Sequence, residues 1–286
     1  MGTTDLAQHL TLRAWWLSTE LRRLREAAGL TIAAVTKRTG INRATLQRNE
    51  AGQSVPQPRN LRDLLKLYGV KQAEASLLLD LAAQHDVHGW WQAYRDVLPE
   101  DYGTFIGFEA QAESERDYAG PFIPGLLQTE AYAEAVVRDT IPGITDDDIA
   151  RRVRVKAERR GVFEGETPLQ LHAIIPEGTI RFHVGGPAVM RDQLRALSDL
   201  PASVTLQVVP FAAGAHPGMA GPFQMLQFRH PRAPRAIFVE TGAGQLIADG
   251  DVDVTRYEGY WEKILAKALS AADSAQLIAE AARKTK

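Results

Sequence analysis

The chain has no cysteine among its 286 residues. That absence excludes disulfides, thiolate metal sites and cysteine nucleophiles together. It also lacks any apolar run of about 18 residues, the length a helix needs to cross a bilayer, so no membrane partner is expected. The opening MGTTDLAQHL has no basic start followed by an apolar stretch, and no signal peptide is expected there. A cytoplasmic setting fits these absences. Histidine is scarce, with seven in all. His172, His183, His216 and His230 show no HxH, HxxxH or HExxH spacing, so no metal site is expected. GxSxG and GxxxxGKS are missing, and Gly185-Gly186 and Gly242-Ala243-Gly244 are too poor for a nucleotide loop. Neither a cofactor nor a catalytic residue is expected, and the chain reads as a non-enzyme.

What is present is ordinary in bulk and uneven in detail. With 45% hydrophobic and 24% charged residues, the chain can build a real core. Its length suggests about two domains. The net charge is −2. Between Ser18 and Lys71, however, eleven Lys or Arg face four acids, a local +7 that leaves −9 for the rest. A basic module joined to an acidic one is the electrostatic footprint of a small DNA-binding domain with a separate regulatory body.

The basic stretch carries a chain of helix signals. A first helix is expected from Ser18, as N-cap, to Ala28, with Leu21 and Leu24 inward and Gly29 ending it. Thr31 caps a second helix that Gly40 closes. Asn42 caps a third, anchored by Leu46 and stopped at Ala51-Gly52. A fourth follows from Arg59 to Tyr68, and a fifth from Gln72 to about Gln84. The third helix would show Arg43, Ala44, Thr45, Gln47 and Arg48 at its surface. Arginine can bond guanine through two donors, and alanine or threonine can touch the thymine methyl. The helix starts at Thr31 and Asn42, with Arg59 at the start of the fourth helix, would offer donors to phosphate.

The strings LRRLREAAGLT, GINRATLQRNEAG and the P-x-P before LRDLLKLYGV resemble the Cro/C1-type, or XRE, helix-turn-helix family over about 65 residues. The resemblance implies a pair between Arg25, near the end of helix one, and Glu50, ending helix three, that fixes the recognition helix. It also implies a glutamine after the helix-two cap. This chain has Ile32 there, so that contact is not carried over.

Beyond residue 84 the pattern changes. Residues 85–99 read as a junction, with Trp90, Trp91 and Tyr94 as an aromatic group suited to packing two domains. Then come an expected helix over Phe105–Glu115, a short strand over Arg116–Phe122, and a helix from Glu130 to Arg138 capped by Thr129. A long charged helix follows over Thr145–Phe163. Its Asp146-Asp147-Asp148 opening reads as complement to the helix dipole, not as a metal site. Strands are expected at Leu169–Ile175, Val204–Pro210, Phe223–Phe228 and Ala236–Glu240. Helices are expected at Gly186–Leu197, Asp251–Leu269 and Ser270–Arg283. Strands and helices without a strict βαβ repeat suggest an α+β body.

PGLLQTEAYAEAV, VVPFAAGAHPGMAGPFQML and YxxxWEKILAKALSAADSAQLI resemble, in that order, the DUF5753 domain that follows an XRE-type module in actinomycete regulators. The resemblance implies transcriptional regulation, often beside a small DUF397-type partner protein, and brings no catalytic residues with it. The expected organisation is therefore an all-α helix-turn-helix domain of five helices over 1–84, the junction at 85–99 and an α+β regulatory domain over 100–286. Its partners would be a double-stranded DNA operator in the nucleoid, a second copy of itself, and a small-molecule effector or DUF397-type protein. An antitoxin-like protein that holds such a partner and regulates its own operon is the alternative. The Gly- and Ala-rich loop Phe211–Gly221 reads either as a connection or as the wall of a ligand or partner pocket. In the second reading Phe211, Met219 and Phe223 supply apolar walls, and His216 and Glu240 orient the ligand.

Overall fold

The structure, a computed structural model, describes residues 12–83, 89–229, 233, 235–241, 244–248 and 250–285. Gln84, the 85–88 part of the junction, His230 and Gly242-Ala243 thus lie outside the described residues. Two compact units divide the chain, Met1–Gln92 and Ala93–Lys286.

Among its described residues the first unit holds five α-helices: α1 (Leu12–Ala27), α2 (Ile32–Thr39), α3 (Arg43–Glu50), α4 (Pro58–Leu67) and α5 (Gln72–Ala83). Leu17, Leu21, Val35, Leu46, Leu61, Leu64 and Leu78 form its fully buried centre. Gly29 and Gly40 end α1 and α2 at φ +68° and +73°, a conformation that side chains with a Cβ rarely adopt. One expected boundary fails. Ser18 does not cap α1 but sits inside it, buried, with its hydroxyl donating to the Trp15 carbonyl at 2.8 Å. The reason lies just before it. Trp15, Trp16 and Leu17 are all buried, and continuing the helix backwards stacks Leu17 over Leu21 and Leu24.

A 3-10 turn at Trp90–Tyr94 carries the chain across the division between units. Trp90 and Trp91 meet edge-on at 5.9 Å, and the Tyr94 hydroxyl donates to Glu158 at 2.7 Å.

The second unit is built on a six-stranded mixed sheet of β1 (Ala112–Tyr118), β2 (Gln170–Pro176), β3 (Val204–Val209), β4 (Phe223–Phe228), β5 (Ala236–Thr241) and β6 (Gly244–Ala248). The order is β3-β2-β1-β4-β5-β6. Strands β1, β2 and β3 run parallel, while β4, β5 and β6 join antiparallel. Before β1 lies α6 (Glu100–Glu109). Between β1 and β2 come α7 (Glu130–Thr140) and α8 (Asp146–Arg159), and between β2 and β3 comes α9 (Gly186–Ala196). The chain closes with α10 (Asp251–Leu265) and α11 (Ala271–Lys284). Parallel strands need such helical crossovers, whereas antiparallel neighbours need only short links.

The sheet is covered on both faces. Tyr118, Phe223, Met225 and Ile237 pack with Trp261 and Ile264 of α10. On the other face Phe105 and Phe108 of α6 meet Phe238 edge-on at 5.0 and 5.5 Å.

Several sequence expectations need correction here. The helix expected over Phe105–Glu115 lies earlier, at α6, and the strand begins at Ala112, not Arg116. AESERDY is polar enough to pass for a helix surface. As β1 it is central, hydrogen-bonded on both sides, with Glu115 and Asp117 facing inward. The charged helix stops at Arg159 and gives way to a 3-10 turn, Arg160–Phe163, and α10 ends at Leu265 rather than Leu269. Strand β6 was not expected at all. The caps Thr129, Thr145 and Ser270 all accept from first-turn amides as their residue types suggest.

Candidate nucleic-acid interface and an interior cavity

The geometry of the first unit turns on α2 and α3. The Thr31 hydroxyl accepts from Ala34 N–H at 3.2 Å, and Asn42 Oδ1 accepts from Ala44 N–H at 2.8 Å. Both helices therefore start at a fixed point with their positive ends outward. In α3, Leu46, Asn49 and Glu50 are buried. Arg43, Ala44, Gln47 and Arg48 are exposed, and Thr45 is half-buried at their edge. The inward set recurs at helical spacing, so the outward set forms one continuous face. Arg59 is also exposed, in the first turn of α4. Ile32 is half-buried.

Two ties hold α3 in place. Arg25 Nε donates to Glu50 Oε1 at 2.8 Å and Nη2 to Oε2 at 3.0 Å, while Nη1 donates to the Leu30 carbonyl at 2.9 Å. The Glu50 hydrogen bond raises the Arg25 pKa above its ordinary value. Asn49 Nδ2 donates to the Ser54 carbonyl and hydroxyl, both at 2.9 Å, and so fixes the turn after the helix. Burial pushes the neighbouring Tyr68 hydroxyl well above its usual range.

In the second unit, the residues expected to wall a pocket do not come together. Phe211 and Met219 are exposed, at 68% and 73%. Phe223 points to the opposite face of the sheet, into the core with Tyr118 and Tyr257. His216 rests edge-on against Tyr118 at 5.9 Å, and burial lowers its pKa, with Lys267 adding to the effect. Nor is the loop free. Phe211 N–H donates to Glu177 at 2.9 Å, Lys267 Nζ donates to the Ala213 carbonyl at 2.6 Å, and Gly218 is buried where a Cβ would meet the Tyr118 ring at 2.2 Å.

A cavity lies elsewhere, with Glu240 alone of those five residues lining it. It has a volume of about 360 Å³ and sits against the α6-covered face of the sheet. Glu115 and Asp117 of β1 and Gln224 of β4 form one side; Arg152, Lys156 and Arg159 of α8 form another. Arg159 donates to Glu109 at 2.6 and 2.8 Å and to the Tyr102 hydroxyl. Burial opposes its charge, but Glu109, Tyr102 and Glu115 together outweigh burial and the pKa is raised. Lys156 Nζ donates to Gln128 at 2.7 Å, and burial lowers its pKa to about 8. Burial pushes Asp117 up to about 7 and Glu115 well above the carboxylate range.

This site is assembled from segments far apart in the chain and is not marked by any local motif. Its one legible signal was the spacing of Arg152, Lys156 and Arg159, which places three cations on one face of a helix. Among the described residues, no group of three or more His, Asp or Glu side chains is placed to hold a metal ion, the Asp146–Asp148 run included. No described helix is long and apolar enough to cross a membrane.

The two units define a class: a helix-turn-helix module followed by an α+β body. A family model described as a helix-turn-helix domain matches residues 16–78, in accord with the XRE-type resemblance. A second, described as a domain of unknown function (DUF5753), matches residues 102–280. That span is more than half of the chain, which belongs to the DUF5753 family. No curated protein and no solved structure matches the chain.

Proposed function

We propose that the chain is a sequence-specific regulator of transcription that reads an operator with α3, acting by binding rather than by catalysis. One observation carries this reading. Arg43, Ala44, Gln47 and Arg48 form an exposed face on a helix whose other side is held by Leu46, Asn49 and the Arg25–Glu50 pair. Such a face enters a major groove, with the helix starts at Thr31 and Asn42 and the cation of Arg59 available to phosphate. A single helix-turn-helix covers few base pairs, so the working form is a homodimer on a two-fold symmetric site.

The α+β unit is the controlling module in this proposal. A small ligand is favoured over a protein partner because the unit contains a lined interior cavity with unpaired polar groups. The test is selection of bound sites from genomic fragments by the full chain. A shared sequence in two inverted half-sites is the expected result. Retention of fragments with no shared sequence would overturn the reading.

A further inference from the structure

We infer that the cavity between β1, β4 and α8 takes a small molecule with an apolar body, a primary amine held by Glu115, Asp117 and Gln224, and a hydrogen-bond acceptor directed to Arg152.

The sheet side of the cavity is rich in acceptors. Glu115 and Asp117 are two residues apart on β1 and so share a face, and Gln224 lies opposite Asp117 on β4. Glu115 is 2% exposed, and its Oε2 has no hydrogen-bond partner; neither does Gln224 Oε1. Asp117 Oδ1 is met by Gln224 Nε2 at a long 3.4 Å. Buried acceptors left unpaired are costly, and an ammonium supplies three donors at one point.

The cations of α8 do not fill that need. Arg159 is committed to Glu109 and Tyr102, and Lys156 to Gln128. Burial raises the Glu115 and Asp117 pKa values, and the opposing pull of Arg159, whose hydrogen bonds go to Glu109 and Tyr102, does not offset it.

The far end has the opposite character. Arg152 Nε is buried without a partner. It lies seven residues from Arg159 on α8, about 10 Å along the helix axis. A donor there calls for a carbonyl or carboxylate. Phe105, Phe122, Val136 and Pro222 supply apolar wall between the two ends. The cations of α8 also disfavour a bare divalent ion, whereas a molecule with one positive and one acceptor end matches both sides.

The regulatory consequence rests on the proposal that this unit controls DNA binding; binding of the amine does not. The test uses the full chain and three probes: 8-aminooctanoate, octanoate and octylamine. By calorimetry, 8-aminooctanoate is expected to bind about tenfold more tightly than octanoate, the range of one charge-assisted hydrogen bond. Octylamine should bind more weakly than 8-aminooctanoate for want of the acceptor. Glu115→Gln should erase the preference for the amine, and Gln224→Leu, which leaves the carboxyls in place, should reduce it. Equal or tighter binding of octanoate, or no binding of any probe at millimolar concentration, would overturn the inference. Operator affinity measured alongside separates the two claims. If the amine binds but operator affinity does not move, control by this unit fails while the site stands. If cell extract shifts operator affinity but no amine binds, control stands and the site assignment fails.

Discussion

Arg25 and Glu50, 25 residues apart, meet through two parallel hydrogen bonds that join the end of α1 to the end of α3. Arg25 is 12% exposed and Glu50 7%, so the contact is largely removed from solvent screening. It is also the contact by which the scaffold sets the angle of the helix that carries Arg43 and Arg48. Fold stability and DNA recognition therefore share one ion pair.

Removing one partner of such a pair strands the other. Glu50→Ala leaves the Arg25 guanidinium near the unpaired Tyr68 hydroxyl, with only the solvent-exposed Glu26 carboxylate at 3.2 Å to offset its charge. The expected cost is about 3–5 kcal/mol. In a unit of this size that lowers the melting temperature by roughly 10 °C or more. Calorimetry of the full chain measures it, because the second unit supplies an internal reference. A shift of a degree or two would show that the pair contributes little more than a surface contact.

Arg48 tests recognition separately from folding. It is exposed in the last turn of α3, away from the buried Leu46, so Arg48→Ala should leave the melt unchanged. On the selected operator it should cost about 1–3 kcal/mol and relax preference at one base pair. On random DNA the loss should be smaller and should follow the salt dependence of one phosphate-neutralising charge. Equal loss on both DNAs would assign Arg48 to the backbone instead of to a base.

The helix-turn-helix was legible because its boundaries are written in local residues. Thr31 and Asn42 cap, Gly29 and Gly40 stop, and each acts within a few positions of itself. Ser18 misled for the same reason. A serine before a helical pattern looks like a cap, and only the burial of Trp15 and Trp16 shows otherwise. The cavity was not legible, because its parts are brought together by the sheet. Gln224 and Asp117 are neighbours across β1 and β4 but 107 residues apart in the chain. Inward-facing acids in AESERDY also break the rule that buried strand positions are apolar, so Ala112–Glu115 read as the end of a helix and only the part from Arg116 as strand. Phe223 was expected to wall a pocket because it follows the Gly- and Ala-rich loop Phe211–Gly221. Strand alternation sends it to the core and sends its neighbour Gln224 to the cavity.

Symmetry of binding gives a prediction of its own. If two copies bind one site, half-sites should be separated by about one helical turn of DNA, roughly 34–36 Å. Light scattering of the operator complex should return two chains per duplex, and a single half-site should bind far more weakly than the pair. One chain per duplex at saturation would remove the dimer from the proposal.

The last prediction concerns pH and the carboxyls of β1. Asp117 titrates at about 7 in the folded chain against 3.8 ordinarily, because burial disfavours its charge and Glu109 and Glu240 add to that, against the opposing pull of Arg159. Between those two values the unfolded chain has released a proton that the folded chain still holds. Stability from this group is therefore fully present below 3.8 and is lost as pH rises through about 7. Glu115 acts in the same direction, since burial, Glu109 and Asp117 all raise it. The melting temperature of the second unit should accordingly fall between about pH 5 and about pH 8. Asp117→Asn keeps the shape and removes the titration, so it should flatten this fall and stabilise the unit most at the higher pH. If the variant and the parent lose stability in parallel across that range, Asp117 is not the group being titrated.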